Sequence, residues 1–63
     1  MLRIAVCDDD LKFTGDFETL VLQESRNMGI RVETDVFSDG DTLVKSILSG
    51  ERYNLIFLDI EMP

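Results

Sequence analysis

The chain has 63 residues, 44% hydrophobic and 30% charged, and its formal net charge is −7. This length allows at most one small domain, and its acidic balance with scattered Lys and Arg argues against nucleic-acid binding, because phosphate backbones are bound by clustered cations. The single cysteine, Cys7, excludes an internal disulfide framework. There is no basic-then-apolar leader and no apolar run long enough to span a bilayer, so we expect a cytoplasmic chain without membrane contact.

The first two predicted elements are a buried strand and a long helix. The apolar run Arg3–Cys7 stops abruptly at Asp8–Asp10, which indicates a strand followed by an acidic turn. From about Asp10 to Met28, apolar residues recur at helical spacing, and we expect them to form the packing face: Phe13, Phe17, Leu20, Val21 and Met28. Gly29 occupies the usual position of a C-terminal cap.

A second strand and a second helix follow. Arg31–Phe37 alternates charged with apolar or β-branched residues, which is typical of a strand at a sheet edge. Ser38 and Asp41 have the spacing of a capping box, with Ser38 as the N-cap of a helix. The predicted packing face of that helix comprises Leu43, Val44, Ile47 and Leu48, and Gly50 ends it.

The third strand, Leu55–Ile60, is apolar almost throughout, and such strands are usually covered on both faces of a parallel sheet. The order strand, helix, strand, helix, strand predicts an α/β fold with a doubly wound parallel sheet. In flavodoxin-like order the first strand lies between the other two, giving 2-1-3. We expect residues 1–63 to be the N-terminal half of a domain of about 120 residues.

Three carboxylates follow the ends of two predicted strands: Asp8 and Asp9 after the first, and Asp59 near the end of the third. Ligands of open α/β sheets bind beyond the carboxyl ends of the strands. Helix capping alone explains an acidic turn, and we assign that role to Asp10. A carboxylate at the end of an apolar strand is different, because removing it from water is costly unless it has a partner. An all-oxygen site suits Mg²⁺, whereas a chain without His disfavours zinc.

Two segments resemble the N-terminal signatures of bacterial response-regulator receiver domains: Ile4–Asp10 and Asn54–Pro63. Phe37–Gly40, followed by Leu43, is similar to that family's entry into its second helix. The resemblance runs through all 63 residues and implies a flavodoxin-like fold, which in the complete family domain has five parallel strands in the order 2-1-3-4-5. Cys7 and the Asp-Ile-Glu-Met-Pro sequence further resemble regulators with a LytTR-type DNA-binding output domain.

The resemblance implies a role for each matching residue. Asp59 corresponds to the phosphoacceptor, which takes a phosphoryl group from a histidine kinase. Asp9 would be the principal Mg²⁺ carboxylate, Asp8 the second acid, and the backbone carbonyl of Glu61 a further ligand. The resemblance implies a two-component signalling module and not an enzyme. Such a module would act through an output domain of the parent chain, which the similarity to LytTR-type regulators implies to be a regulator of transcription.

The hydroxyl, lysine and switching aromatic of such domains would lie beyond Pro63. We therefore expect the 63-residue chain to bind Mg²⁺ weakly, to accept a phosphoryl group poorly and to be unable to signal. An apolar third strand with an unpaired edge also predicts a homodimer or a domain-swapped assembly.

Two other functions remain open. A haloacid-dehalogenase-like phosphatase would use Asp59 and Glu61 as its acid-x-acid motif, although that family has Asp at the second position and places the motif near its N-terminus. A receiver-shaped interaction module without phosphorylation is the other alternative, and retention of Asp8, Asp9 and Asp59 weakens it.

Overall fold

The computed structural model describes residues 1–59. They form five elements in the predicted order, β1 (Leu2–Cys7), α1 (Leu11–Met28), β2 (Val32–Phe37), α2 (Gly40–Leu48) and β3 (Leu55–Leu58). Ile60, the last residue of the predicted third strand, lies outside this range. Neither helix within residues 1–59 has the length and apolar character needed to cross a membrane.

The three strands form one parallel sheet in the order β2-β1-β3, as the sequence predicted. Along β1, Cys7 is the register partner of Phe37 in β2 and of Leu58 in β3. All three strands therefore end at nearly the same level. The chain is a small α/β fold whose sheet has β1 at its centre.

The two helices lie on opposite faces of the sheet. Leu43 of α2 forms the buried core with Ala5 and Cys7, whose side chains share one face of β1. On the other face, Phe17 of α1 packs edge-on against Phe57 of β3 at a centroid distance of 4.8 Å. Successive residues of a strand point to opposite faces, so each helix covers its own side.

The ends of α1 follow the sequence prediction. The Asp10 side chain accepts a hydrogen bond from the Phe13 backbone N–H at 3.1 Å, which makes Asp10 the N-cap. Gly29 closes the helix in the left-handed conformation, with φ 72°. Its N–H donates to the Arg26 carbonyl oxygen at 3.2 Å.

The predicted packing face of α1 is partly wrong. Leu20, Met28 and Phe13 are exposed, whereas Thr14 is the buried residue of this helix. The inward stripe consists of buried or half-buried side chains at helical spacing: Thr14, Phe17, Glu18, Val21 and Ser25. Polar groups are accommodated in it because they are hydrogen-bonded; the Thr14 hydroxyl, for example, donates to the Leu11 carbonyl oxygen at 3.0 Å.

Two predictions for α2 also need correction. The N-cap is Asp39 and not Ser38, because Asp39 accepts the Thr42 backbone N–H at 2.8 Å. Of the predicted packing face, Leu43 is buried, and the other three residues are exposed: Val44, Ile47 and Leu48. Within residues 1–59, Leu43 is the residue of α2 that joins the buried core.

The two outer strands differ in character. β2 alternates exposed and half-buried residues over most of its length, as expected of an edge strand. β3 was expected to be covered on both faces, but its four apolar side chains are between 41% and 54% exposed. Within residues 1–59, β3 pairs only with β1, which leaves its outer edge open.

The Arg3 side chain links β1 to β2 and to the segment between α2 and β3. Its guanidinium contacts Asp35 of β2 at 3.0 Å and Glu51 at 2.6 Å, and lies 4.9 Å from the Tyr53 ring centroid. The Tyr53 hydroxyl in turn lies 3.0 Å from the hydroxyl of Ser46 in α2. We call these five residues the Arg3 cluster.

Candidate metal centre

Two acids stand directly beyond the ends of neighbouring strands. The Asp8 N–H donates to the Phe37 carbonyl oxygen at 3.0 Å, and the Asp59 N–H donates to the Cys7 carbonyl oxygen at 3.0 Å. These bonds extend the parallel pairing by one residue. Asp8 therefore stands opposite Asp59, at the usual strand spacing of about 4.8 Å.

The loop between β1 and α1 is shaped by its own carboxylates. Oδ1 of Asp8 accepts the Asp10 backbone N–H at 2.9 Å, which closes a tight turn around Asp9. Asp10 then caps α1 through Phe13. Asp8 thus has a fixed orientation, and Asp9 stands at the tip of the turn with an exposed side chain.

Asp8, Asp9 and Asp59 meet at the carboxyl end of the sheet. Each can contribute one carboxylate oxygen to a set whose members all lie within 4.8 Å of one another. Asp8 and Asp59 are half-buried and Asp9 is exposed. Opposite ligands of an octahedral Mg²⁺ are about 4.2 Å apart, so small side-chain movements or bridging water would complete such a site.

The donor set favours a hard cation. Its three candidate ligands are carboxylates, and the chain contains no His that could provide a nitrogen ligand. Cys7 is buried next to this cluster, and its burial, with the nearby charges of Asp39, Asp8 and Asp59, raises the pKa of its thiol. The thiol therefore stays protonated near neutral pH and is a poor metal ligand.

A cavity of about 320 Å³ opens beside the three acids. Asp8 and Asp59 line one part of it, and the rings of Phe13 and Phe57 line another. The carboxylates repel any small anionic group that enters from this side. Such a group could bind there only if a cation neutralised its charge.

The structure brings together three of the four predicted site residues. Asp8, Asp9 and Asp59 are adjacent, whereas Glu61 lies outside the described residues. Metal binding by this set remains a prediction. Sequence reasoning gave no role to Tyr53, which the structure places in the Arg3 cluster with its hydroxyl bonded to Asp35.

Comparisons with models of protein families, with curated proteins and with solved structures find no match to this chain.

Proposed function

We propose that this chain belongs to a flavodoxin-like receiver domain that accepts a phosphoryl group on Asp59 in the presence of Mg²⁺. The observation that carries the proposal is the convergence of Asp8, Asp9 and Asp59 at the carboxyl ends of two adjacent parallel strands. Ligand sites of open α/β sheets lie at this edge, beside the strand where the order of the sheet reverses.

The chemistry assigned to Asp59 is nucleophilic. One carboxylate oxygen attacks phosphorus in line, a new P–O bond forms, and the bond from phosphorus to the donor breaks with its electron pair leaving on the donor. The product is a mixed anhydride at Asp59. Mg²⁺, when bound, supplies neutralisation of the negative charge on the phosphoryl oxygens.

The chain's residues supply position and charge for this reaction. The backbone bond from Asp59 to Cys7 holds the nucleophile at the end of β3. The bond between the Asp8 side chain and Asp10 fixes the second acid, so that Asp9 and Asp8 face the same small volume as Asp59. The adjacent cavity leaves room for a phosphoryl group.

The partners follow from the same proposal. A histidine kinase is the phosphodonor, and the readout is an output domain of the parent chain that regulates transcription in the cytoplasm. Glu61 would add a backbone carbonyl to the metal ligands. These assignments are based on the resemblance of residues 4–10 and 54–63 to receiver signatures.

The decisive experiment measures the intact mass of the chain before and after incubation with Mg²⁺ and a small-molecule phosphodonor. We expect the mass of one phosphoryl group on only a small fraction of the 63-residue chain, because poor acceptance is expected of residues 1–63 alone, and on a larger fraction of a longer parent chain. Asp59→Asn should remove the label, whereas Asp41→Asn, which changes an exposed carboxylate in α2, should retain it. Asp9→Asn should retain Asp59 but weaken Mg²⁺ binding in a calorimetric titration.

Other outcomes separate the alternatives. A label that persists in Asp59→Asn would contradict the proposed nucleophile. Sustained release of phosphate from an ester would favour the phosphatase, since a receiver forms one acyl phosphate per chain. Absence of both Mg²⁺ binding and labelling in the longer parent chain as well as in residues 1–63 would favour an interaction module.

A further inference from the structure

A second surface feature lies at the opposite end of the sheet from the acids. A groove of about 380 Å³ runs between the last turns of α1 and the start of β2. The residues that matter for its chemistry are Met1, Leu22, Arg26, Ile30, Arg31 and Glu33. We call it the Arg26–Arg31 groove. Since β1 has six residues, it lies about 20 Å from the carboxylates.

The groove exposes apolar side chains that the fold does not use. Met1 is 74% exposed, Ile30 is 45% exposed and Leu22 is 37% exposed. They come from three different segments but line one concave surface. A single exposed apolar residue needs no explanation, whereas several around one groove indicate a binding surface.

Two of the three charged side chains that line the groove are arginines, in a strongly acidic chain. Neither Arg26 nor Arg31 forms an ion pair with any residue of the described range 1–59, where the ion pairs all involve Arg3. Glu33 also lines the groove, but it lies 3.6 Å from Arg3 and is partly neutralised there. The dipole of α1 favours a cation in its last turn, which explains Arg26 but not Arg31.

We propose that the Arg26–Arg31 groove docks an acidic, amphipathic segment of a partner protein. Apolar side chains of that segment would occupy the space between Leu22 and Ile30, and its carboxylates would pair with the two arginines. The two arginines distinguish this end of the molecule from the opposite end, which presents three carboxylates. The interaction requires no metal and no phosphorylation.

The small number of cations favours a peptide over an anionic membrane. Surfaces that bind anionic lipid carry clusters of four to eight Lys or Arg residues, whereas this groove has two. A protein segment is therefore the occupant that the observations support.

The test uses the whole 63-residue chain, labelled with nitrogen-15, and a helical probe peptide with Leu on one face and Glu on the other. We expect the probe to shift the backbone amide signals of Leu22, Arg26, Ile30 and Arg31. A matched peptide with Gln in place of Glu should bind more weakly.

Two charge reversals complete the design. Arg31→Glu should weaken binding of the acidic probe about fivefold or more, because one attraction is lost and one repulsion is gained. Arg52→Glu makes the same change in net charge at an exposed position outside the groove and should leave the affinity within about twofold of the unmodified chain. Dispersed amide spectra of both variants would establish that they fold.

Three results would overturn the proposal. One is that the amide signals of the groove residues do not shift at a millimolar concentration of the probe peptide. Another is equal affinity for the Glu and Gln peptides. The third is binding to phosphatidylserine vesicles, mapped to the same amides, without binding of the peptide; that result would assign the groove to a membrane.

Discussion

The Tyr53 hydroxyl donates a hydrogen bond to Oδ2 of Asp35 at 2.9 Å. The same oxygen accepts the Arg3 guanidinium at 3.0 Å, and the Ser46 hydroxyl lies 3.0 Å from that of Tyr53. One phenol therefore links β2, α2 and the segment before β3. Loss of its hydroxyl would take one hydrogen-bond partner from Ser46 and one from Asp35, which keeps its contact with Arg3.

We expect Tyr53→Phe to lower the free energy of unfolding by about 1 kcal/mol, since a part-buried hydrogen bond to a carboxylate is lost while the ring is kept. Urea denaturation followed by circular dichroism measures the change. In a double-mutant cycle with Asp35→Asn, the two effects should be less than additive. Additive effects would mean that the two side chains do not interact energetically.

The ionisation of Tyr53 offers a second test. Burial, with the charge of Asp35, raises the pKa of this tyrosine above its ordinary value. A group with a raised pKa stabilises the fold below its unfolded pKa, and this contribution is lost as the pH rises through the folded value. The chain has one tyrosine, so phenolate absorbance reports it directly, and Asp35→Asn should lower its pKa.

The N-cap of α2 should give acid-dependent stability. Hydrogen bonds from the Thr42 backbone N–H and hydroxyl lower the pKa of Asp39. Its contribution is therefore complete above the unfolded pKa and is lost as the pH falls through the lower, folded value. Asp39→Ala should lower the melting temperature by several degrees at neutral pH and much less in strong acid. Asp41→Ala, also in the first turn, should have a smaller effect.

Two glycines in or beside α1 should respond in opposite directions to alanine. Gly15 lies inside the helix, and an added Cβ would meet no atom within 4 Å, so Gly15→Ala should stabilise the chain by about 0.5–1 kcal/mol. Gly29 has φ +72°, and Gly29→Ala should destabilise it by about 1 kcal/mol. Thermal unfolding of both variants would measure this contrast. The same sign for both would contradict the helix boundary.

The outer edge of β3, which is unpaired within residues 1–59, should promote self-association. Its side chains are half-exposed and apolar, and an unpaired strand edge can pair with another chain. Sedimentation velocity should show assembly that increases with concentration. Leu58→Lys, which places a charge on β3, should reduce it more than Leu48→Lys, which makes the same change at the end of α2. A monomer at millimolar concentration would disprove this prediction.

The sequence predicted the order of the elements and the proximity of Asp8 to Asp59. Both predictions depend on recognising where the apolar runs of the strands end. Asp8 and Asp59 end two apolar runs, and parallel pairing must bring such residues to one edge. The N-cap of α2 was predicted one residue too early because Ser38 and Asp39 are both suitable caps, and only the hydrogen bond to Thr42 distinguishes them.

Other features could not be predicted from local patterns. The inward face of α1 includes Thr14, and a search for apolar periodicity passes over a threonine whose hydroxyl is satisfied within its own helix. The Arg3 cluster draws its members from β1, β2, α2 and the segment before β3. Such contacts depend on side-chain geometry across the sheet, on which sequence spacing carries little information.

Because Asp8 lies opposite Asp59, the cluster of Asp8, Asp9 and Asp59 forms only when β1 and β3 pair in the observed register. A shift of β3 by one residue would turn Asp59 to the opposite face of the sheet and separate the two carboxylates. The two acids are distant along the chain and approach only after both crossovers have formed, so the unfolded chain has no such centre. A cation that binds to these carboxylates would therefore stabilise the sheet with the correct register over sheets with a shifted β3.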